Sequence, residues 1–281
     1  MSDVADAQAV REGQAAASSA HGGFIWYELM TPDPAAAKRF YGAVVGWDID
    51  TDSVAPGIEY RMIKRSDGGN AGGVLTLTEE MRSGGARPIW LGYLHVEDVD
   101  SKVEEIKADG GQVTMPPWDQ AGVGRLAMVT GPEGAPFYLM DPLPPAGDPG
   151  ATSDVFSTDK AQHVRWNELW SSDPDKSVDF YRRHFGWGQD GDMDMGEMGK
   201  YRFIQHDGVM IGAIMPTMPD MPGSMWNLYI GVDDIDRAAD AVKSGGGQVV
   251  NGPMEIPGGE FAVNAVDPQG AQIGFVGPRK Q

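Results

Sequence analysis

The chain has 281 residues, 41% of them hydrophobic and 9% aromatic, enough for two domains that each bury a core. Its formal net charge of −19 argues against nucleic acid and anionic membrane surfaces as partners, and the lack of cysteine excludes disulfides, thiolate metal sites and cysteine nucleophiles. No apolar run is long enough to span a bilayer, so a cytoplasmic protein is expected.

Residues 1–21 carry Asp3, Asp6, Arg11 and Glu12 among Ala, Ser and Gln, and read as a disordered tail rather than a secretory signal. Phe24–Thr31 reads as a strand. Asp33 follows as a helix N-cap with Pro34 at the first helical position, and Ala36, Phe40 and Val44 give the helix an apolar stripe that ends at Gly46. Trp47–Asp52, Tyr60–Lys64 and Gly73–Leu77 are three predicted strands, completing a βαβββ unit. A second unit has strands at Trp90–Val96, Gln112–Met115, Arg125–Thr130 and Pro136–Met140, and a helix at Val99–Ala108, with Pro116 and Pro117 marking a loop. Residues 143–160, rich in Pro, Gly, Ala and Asp, read as a linker between domains spanning 22–142 and 161–278.

The pattern then recurs. Trp26–Trp47 aligns without a gap to Trp166–Trp187, 140 positions later, sharing Trp, Glu, Leu, Asp-Pro, Phe-Tyr and Gly-Trp. Asp98-Val99-Asp100 answers Asp234-Ile235-Asp236 at an offset of 136, and Gly245–Gly247 reads as a helix stop, not a phosphate cradle. Strands are expected at Val164–Ser171, Tyr201–Gln205, Val209–Met215, Trp226–Val232, Gln248–Val250, Glu260–Val266 and Gln272–Val276. The fold expected is α+β: two tandem domains, each pairing two βαβββ units into a half-open eight-stranded barrel with a ligand site on its concave side.

These features resemble the glyoxalase, bleomycin-resistance and extradiol-dioxygenase superfamily, the vicinal-oxygen-chelate fold, in its tandem glyoxalase-like or hydroxylase branch. The resemblance rests on the Asp-Pro, Phe-Tyr and Gly-Trp stretch, the two Asp-x-Asp helix starts, and the Gly131–Gly134 and Asp267–Gly270 turns, and covers almost all of residues 23–278. It implies a divalent metal held by His, Gln or Glu. At the corresponding positions this chain has Trp26, Leu91 and Tyr138 in one domain and Trp166, Asn227 and Gly274 in the other. The usual metal site is therefore expected to be absent, and no cofactor is expected; a divalent ion would need an irregular site shared by Glu28 and His95.

Strand alternation places Phe24, Trp26, Glu28 and Met30 on one face, matched by Val164, Trp166, Glu168 and Trp170. The expected cavities are aromatic, each with one carboxylate. Glu28, Glu168 and His95 are the candidate acid–base groups, with Trp26, Tyr93, Tyr138, Trp166, Asn227 and Tyr229 as substrate-contacting walls. The opposing expectation is that each glutamate fixes its strand through hydrogen bonds. Functionally, three classes follow: a glyoxalase-like enzyme acting on a small oxygen-rich or aromatic molecule, a binder that sequesters a small cationic aromatic compound, or an interaction protein whose cavity its own side chains fill. The partner expected is a small molecule, with the two domains forming a pseudo-twofold pair in a monomer, or a homodimer. Met215, Met218 and Met221 are read as loop packing rather than a copper site.

Overall fold

A computed structural model of the chain describes residues 21–54, 57–144, 150–218, 221 and 223–280. The expected tail apart from His21, linker residues 145–149, and Pro219, Asp220 and Pro222 of the methionine-rich segment lie outside these residues.

The first domain contains β1 (Phe24–Thr31), α1 (Pro34–Val44), β2 (Asp48–Ile49), β3 (Tyr60–Lys64), β4 (Asn70–Thr76), α2 (Glu79–Ser83), β5 (Ile89–His95), α3 (Val99–Ala108), β6 (Gln112–Gln120), β7 (Gly124–Thr130) and β8 (Pro136–Pro142). The second contains β9 (Val164–Ser171), α4 (Pro174–Phe185), β10 (Gly188–Asp194), β11 (Lys200–His206), β12 (Val209–Pro216), β13 (Met225–Gly231), α5 (Ile235–Ser244), β14 (Gln248–Glu255), β15 (Phe261–Val266) and β16 (Gln272–Gly277). Each domain is one eight-stranded sheet, ordered β2-β3-β4-β1-β5-β8-β7-β6 and β10-β11-β12-β9-β13-β16-β15-β14. The two βαβββ units of a domain meet at an antiparallel pair, β1 with β5 and β9 with β13. The outermost strands do not pair with each other, so each sheet stays open.

Local chemistry sets the long helices. Asp33 accepts from the Ala36 N–H at 2.8 Å, Asp98 from Ser101 at 2.9 Å, Asp173 from Lys176 at 3.2 Å and Asp234 from Asp236 at 3.1 Å. Each such cap contributes about 1 kcal/mol. Gly46 takes φ +86°, and its N–H reaches back to the Tyr41 and Gly42 carbonyls, closing α1.

Some strand ends depart from expectation. β2 is only two residues long, whereas β6 runs through Pro116 and Pro117 to Gln120. It is an edge strand with two bulges, where a missing N–H breaks no ladder. The unpredicted β10 holds Asp190, Asp192 and Asp194, and Asp192 pairs with Lys200 at 2.9 Å. The unpredicted α2 is capped by Thr78. Register irregularities between Phe24 and Trp26 and between Val164 and Trp166 break the alternation. Phe24 and Val164 therefore join the core on the helix side instead of sharing a face with Trp26 and Trp166.

The long helices lie between the two sheets, α1 against α5 and α3 against α4, and both domains contribute to one continuous core. The contacts are reciprocal. Trp47 Nε1 donates to the Gln162 carbonyl at 2.9 Å, and Trp187 Nε1 donates to the Gly22 carbonyl at 2.8 Å. Both donors and both acceptors are related by the 140-residue offset, so each Gly-Trp motif fastens the segment entering the other domain. His21, assigned to the tail by sequence, is held here: its Nε2 lies 2.9 Å from the His184 carbonyl, and His206 Nε2 lies 2.9 Å from the His21 carbonyl. The end of the linker packs as well. Val155 and Phe156 are buried, and the Ser153 hydroxyl donates to the Ile25 carbonyl at 2.7 Å. No helix among the described residues is long and apolar enough to cross a membrane.

Candidate functional site

Each sheet has an inner face, turned away from the long helices. In the first domain it carries Met30, Leu91, Tyr93, Leu126, Tyr138 and Met140 as a second apolar cluster, with Trp26 and Trp118 packed partly against it. Glu28 stands within this face, opposite Leu91 on β5 and beside Gly73 on β4, and is 2% exposed. Its Oε2 accepts from the Tyr93 hydroxyl at 2.7 Å. Its Oε1 is buried and has no hydrogen-bond partner. Burial pushes the Glu28 carboxyl up to about 7, against the opposing pull of the Tyr93, Tyr138 and Tyr60 hydroxyls. Burial first, and the Glu28 charge next, push all three of those hydroxyls up, so they remain protonated donors.

The surrounding rings are ordered around this carboxyl. Tyr93 stacks on Tyr138 with centroids 4.3 Å apart, and Trp118 meets Tyr138 edge-on at 6.2 Å. Trp26 Nε1 donates to the Tyr60 hydroxyl at 2.7 Å, leaving the Tyr60 proton free to be donated elsewhere.

The second domain builds the same motif to a different end. Glu168, 5% exposed, faces Asn227 on β13 and Ala213 on β12. Its Oε2 accepts from the Tyr201 hydroxyl at 2.6 Å. Its Oε1 accepts from Trp170 Nε1 at 2.7 Å and from the Tyr229 hydroxyl at 3.2 Å. Trp166 Nε1 donates to Tyr201 at 2.7 Å, repeating the Trp26–Tyr60 pair. Burial raises the Glu168 carboxyl, and its three donors oppose the shift. Tyr229 lies so close over Gly274 that a Cβ there would sit 2.3 Å from the ring; this is where the first domain stacks Tyr138 on Tyr93.

Trp26, Tyr93 and Tyr138 thus gather round Glu28, and Trp166 and Tyr229 round Glu168. Asn227 does not reach its glutamate; its side chain donates to Asn264 at 3.0 Å. His95 is not part of the Glu28 constellation. It lies beside Met140, four residues along β5 from Leu91, which is about 13 Å at strand rise, and its Nδ1 has no partner. Glu28 and His95, the two groups an irregular ion site would need, therefore do not come together. Tyr60, Tyr201 and Trp118 were missed as members, and Trp170, placed on the face of Glu168, was not named as its partner. The signals were present: Tyr60 and Tyr201 begin matching hairpins, and Trp170 replaces Met30.

The residues that the family resemblance assigns to the metal positions are poor ligands for a divalent ion. The one polar atom of Trp26 and of Trp166 is an N–H already donated to a tyrosine, and Leu91 and Gly274 offer no side-chain donor atom. Among the described residues no group of three or more His, Asp or Glu side chains is arranged to hold a metal. A cleft of about 500 Å³ does lie at the junction of the domains, lined by Gly46, Asp67, Lys160, His163, Asp233 and Arg237, away from both glutamates. Its Asp67, Asp233 and Arg237 are already in ion pairs.

Comparison with known proteins agrees with this architecture. Residues 23–139 and 160–275 each match the model of the Glyoxalase/Bleomycin resistance protein/Dioxygenase superfamily. A Mycobacterium tuberculosis protein named "Putative glyoxylase CFP32" is 34% identical over 91% of this chain and 95% of its own length. The Streptomyces "Anthracycline biosynthesis protein DauV" is 28% identical over 92% of this chain and 94% of its own. The Mn(II)-bound glyoxalase from Novosphingobium aromaticivorans shares the fold at a TM-score of 0.61 and 18% identity, covering 94% of this chain and 84% of that one. With both repeats matched and the domain topology in place, the chain belongs to the Glyoxalase/Bleomycin resistance protein/Dioxygenase superfamily.

Proposed function

We propose that the protein is a glyoxalase-like enzyme that moves a proton on a small oxygen-rich or aromatic molecule, using Glu28 of the first domain in place of a metal centre. The observation that carries this reading is the difference between the two glutamates. Both oxygens of Glu168 are occupied, whereas Oε1 of Glu28 is buried and free. A carboxyl raised to about 7 is populated in both protonation states near neutral pH, the condition for general acid–base work. The proton passes from the substrate to Oε1 and returns at a second atom, which leaves the enzyme unchanged and yields an isomerase or lyase reaction. The Tyr60 and Tyr138 hydroxyls supply donors to the substrate oxygen that gains charge. Trp26 and Trp118, both half-buried, form the outer wall past which the substrate enters. The names of the mycobacterial and streptomycete relatives support small-molecule chemistry. On this reading the chain acts as a monomer, with the two domains forming the twofold pair.

The test is a thermal-shift screen of oxygen-rich aromatic compounds, followed by turnover assays on the hits. Glu28→Gln is expected to abolish turnover, and Glu168→Gln to leave it nearly intact. Unaltered turnover in Glu28→Gln overturns the reading. Binding of a hit without turnover selects the sequestration alternative, which the aromatic walls around an acidic group also suit.

A further inference from the structure

The two glutamates are held alike on one oxygen and differently on the other. Tyr93 and Tyr229 are equivalents, paired across the central strands with Trp26 and Trp166. Each bonds its glutamate, Tyr93 at Oε2 of Glu28 (2.7 Å) and Tyr229 at Oε1 of Glu168 (3.2 Å). The bare Oε1 of Glu28 is therefore the counterpart of Oε2 of Glu168, which Tyr201 holds at 2.6 Å. The first domain has the same tyrosine. Arg61 and Met62 pair with Val74 and Gly73 as Arg202 and Phe203 pair with Ile214 and Ala213, so Tyr60 is the equivalent of Tyr201. Both hydroxyls accept an indole N–H at 2.7 Å, from Trp26 and from Trp166. Yet Tyr60 leaves Oε1 of Glu28 without a bond.

The residue beneath the tyrosine differs. Gly73 on β4 and Ala213 on β12 are the strand partners of Glu28 and Glu168. The Tyr60 hydroxyl and the adjoining ring carbons lie over Gly73, in the space where a Cβ would stand. Ala213 fills the equivalent space with its methyl group, so the Tyr201 ring is kept out of it and its hydroxyl goes to the carboxylate. We propose that Gly73 is a positioning residue: it seats the Tyr60 hydroxyl over its bare Cα and so keeps that donor off Oε1 of Glu28, whereas Ala213 closes the equivalent oxygen in the second domain. This rests on Glu28 being the reactive group and adds what holds its oxygen open. Burial first, and the Glu28 charge next, raise the Tyr60 hydroxyl, so the two groups already interact and a short displacement completes the bond. Burial is also what lifts the Glu28 carboxyl to about 7, and a hydroxyl bonded to Oε1 would favour the charged form against it. An alanine at position 73 would meet only the far end of a side chain, so the ring moves and the strand stays.

The experiment titrates the full chain, labelled with carboxyl-13C glutamate, by NMR, with Glu28→Gln and Glu168→Gln assigning the two signals. Gly73→Ala is expected to lower the Glu28 midpoint by about one to two pH units, the worth of one hydrogen bond to a charged group. Adding Tyr60→Phe to Gly73→Ala is expected to restore the parent midpoint, which a mere change of packing would not do. As single substitutions, Tyr201→Phe is expected to raise the Glu168 midpoint and Tyr60→Phe to leave Glu28 nearly in place. A Glu28 midpoint that stays or rises in Gly73→Ala, a lowering that persists in the double variant, or a Tyr60→Phe shift as large as that of Tyr201→Phe overturns the proposal. If Gly73→Ala does not fold, the two tyrosine variants decide alone. No substrate enters these titrations, so the turnover of Glu28→Gln judges the acid–base reading separately.

Discussion

Tyr27 donates its hydroxyl to Oδ1 of Asn167 at 2.9 Å, and the two residues are equivalents in the repeat. A contact between equivalent positions lies on the local twofold axis that relates the domains. In a homodimer this position would meet a copy of itself. Within one chain the two copies differ, and they form a complementary donor–acceptor pair. Both residues are fully buried, and Asn167 also donates to the Ile211 carbonyl at 2.9 Å. Tyr27→Phe leaves Asn167 Oδ1 without its donor, and the expected loss is about 1–3 kcal/mol in urea unfolding. Asn167→Ala is expected to cost at least as much. A double-mutant cycle with no coupling between the two would remove the hydrogen bond from the account.

Trp47 and Trp187 make reciprocal bonds across the domain boundary. Trp→Phe at either position removes the indole donor and keeps most of the ring. Each substitution is expected to destabilise by about 1–2 kcal/mol, with similar values because the environments are related by the repeat. Unfolding monitored by circular dichroism checks this. A large effect at one site and none at the other would show that the twofold relation does not extend to energetics.

Glu28 makes stability depend on pH with a definite sign. Its folded carboxyl is raised to about 7 from an unfolded value near 4.5. Between those values the folded state holds the extra proton. The contribution is therefore fully present below the unfolded value, and stability falls as pH rises through about 7. Glu28→Gln removes this slope. The variant is expected to be more stable than the parent above pH 7, by at most about 3 kcal/mol, and close to it below pH 5. Melting curves across pH 4–9 test it, and a parallel profile for the two proteins would place the Glu28 titration outside this window.

Removal and addition of metal give a fourth test. Trp26, Leu91 and Tyr138, and Trp166, Asn227 and Gly274 in the second domain, are the residues that the family resemblance puts at the metal positions. A chelator is expected to leave melting temperature and turnover unchanged, and dialysis against Mn²⁺, Ni²⁺ or Zn²⁺ is expected to retain no stoichiometric ion. One bound ion per chain, with a rise in melting temperature, would require ligands other than these six.

Much of the architecture was legible in the sequence because its signals are local or periodic. Asp33, Asp98, Asp173 and Asp234 marked helix starts, since a cap acts on N–H groups two or three residues away. The repeat, at an offset of 140 in the first unit and 136 in the second, paired equivalent residues of the two domains before any contact was known. The faces of Glu28 and Glu168 followed from the two-residue period of a strand. The same period misplaced Phe24 and Val164, because an irregular register beside each shifts the alternation without a composition signal. The edge strand through Pro116 and Pro117 was cut short for a related reason: whether a proline ends a strand depends on whether a neighbour needs its N–H.

The glutamate pair marks the boundary between the two sources. Sequence alone determined that both domains carry the same Trp-x-Glu stretch, with a carboxylate among aromatic residues. It also showed Met30 in one copy and Trp170 in the other. Only the tertiary structure decided that both oxygens of Glu168 are held, one of them by the Trp170 N–H, while one oxygen of Glu28 stays bare. The physical reason is range. Caps and periodicity act within a few residues of one segment, whereas the hydrogen bonding of a buried carboxylate is set by hydroxyls and an indole brought in from several strands, at distances where a few tenths of an ångström separate a bond from none.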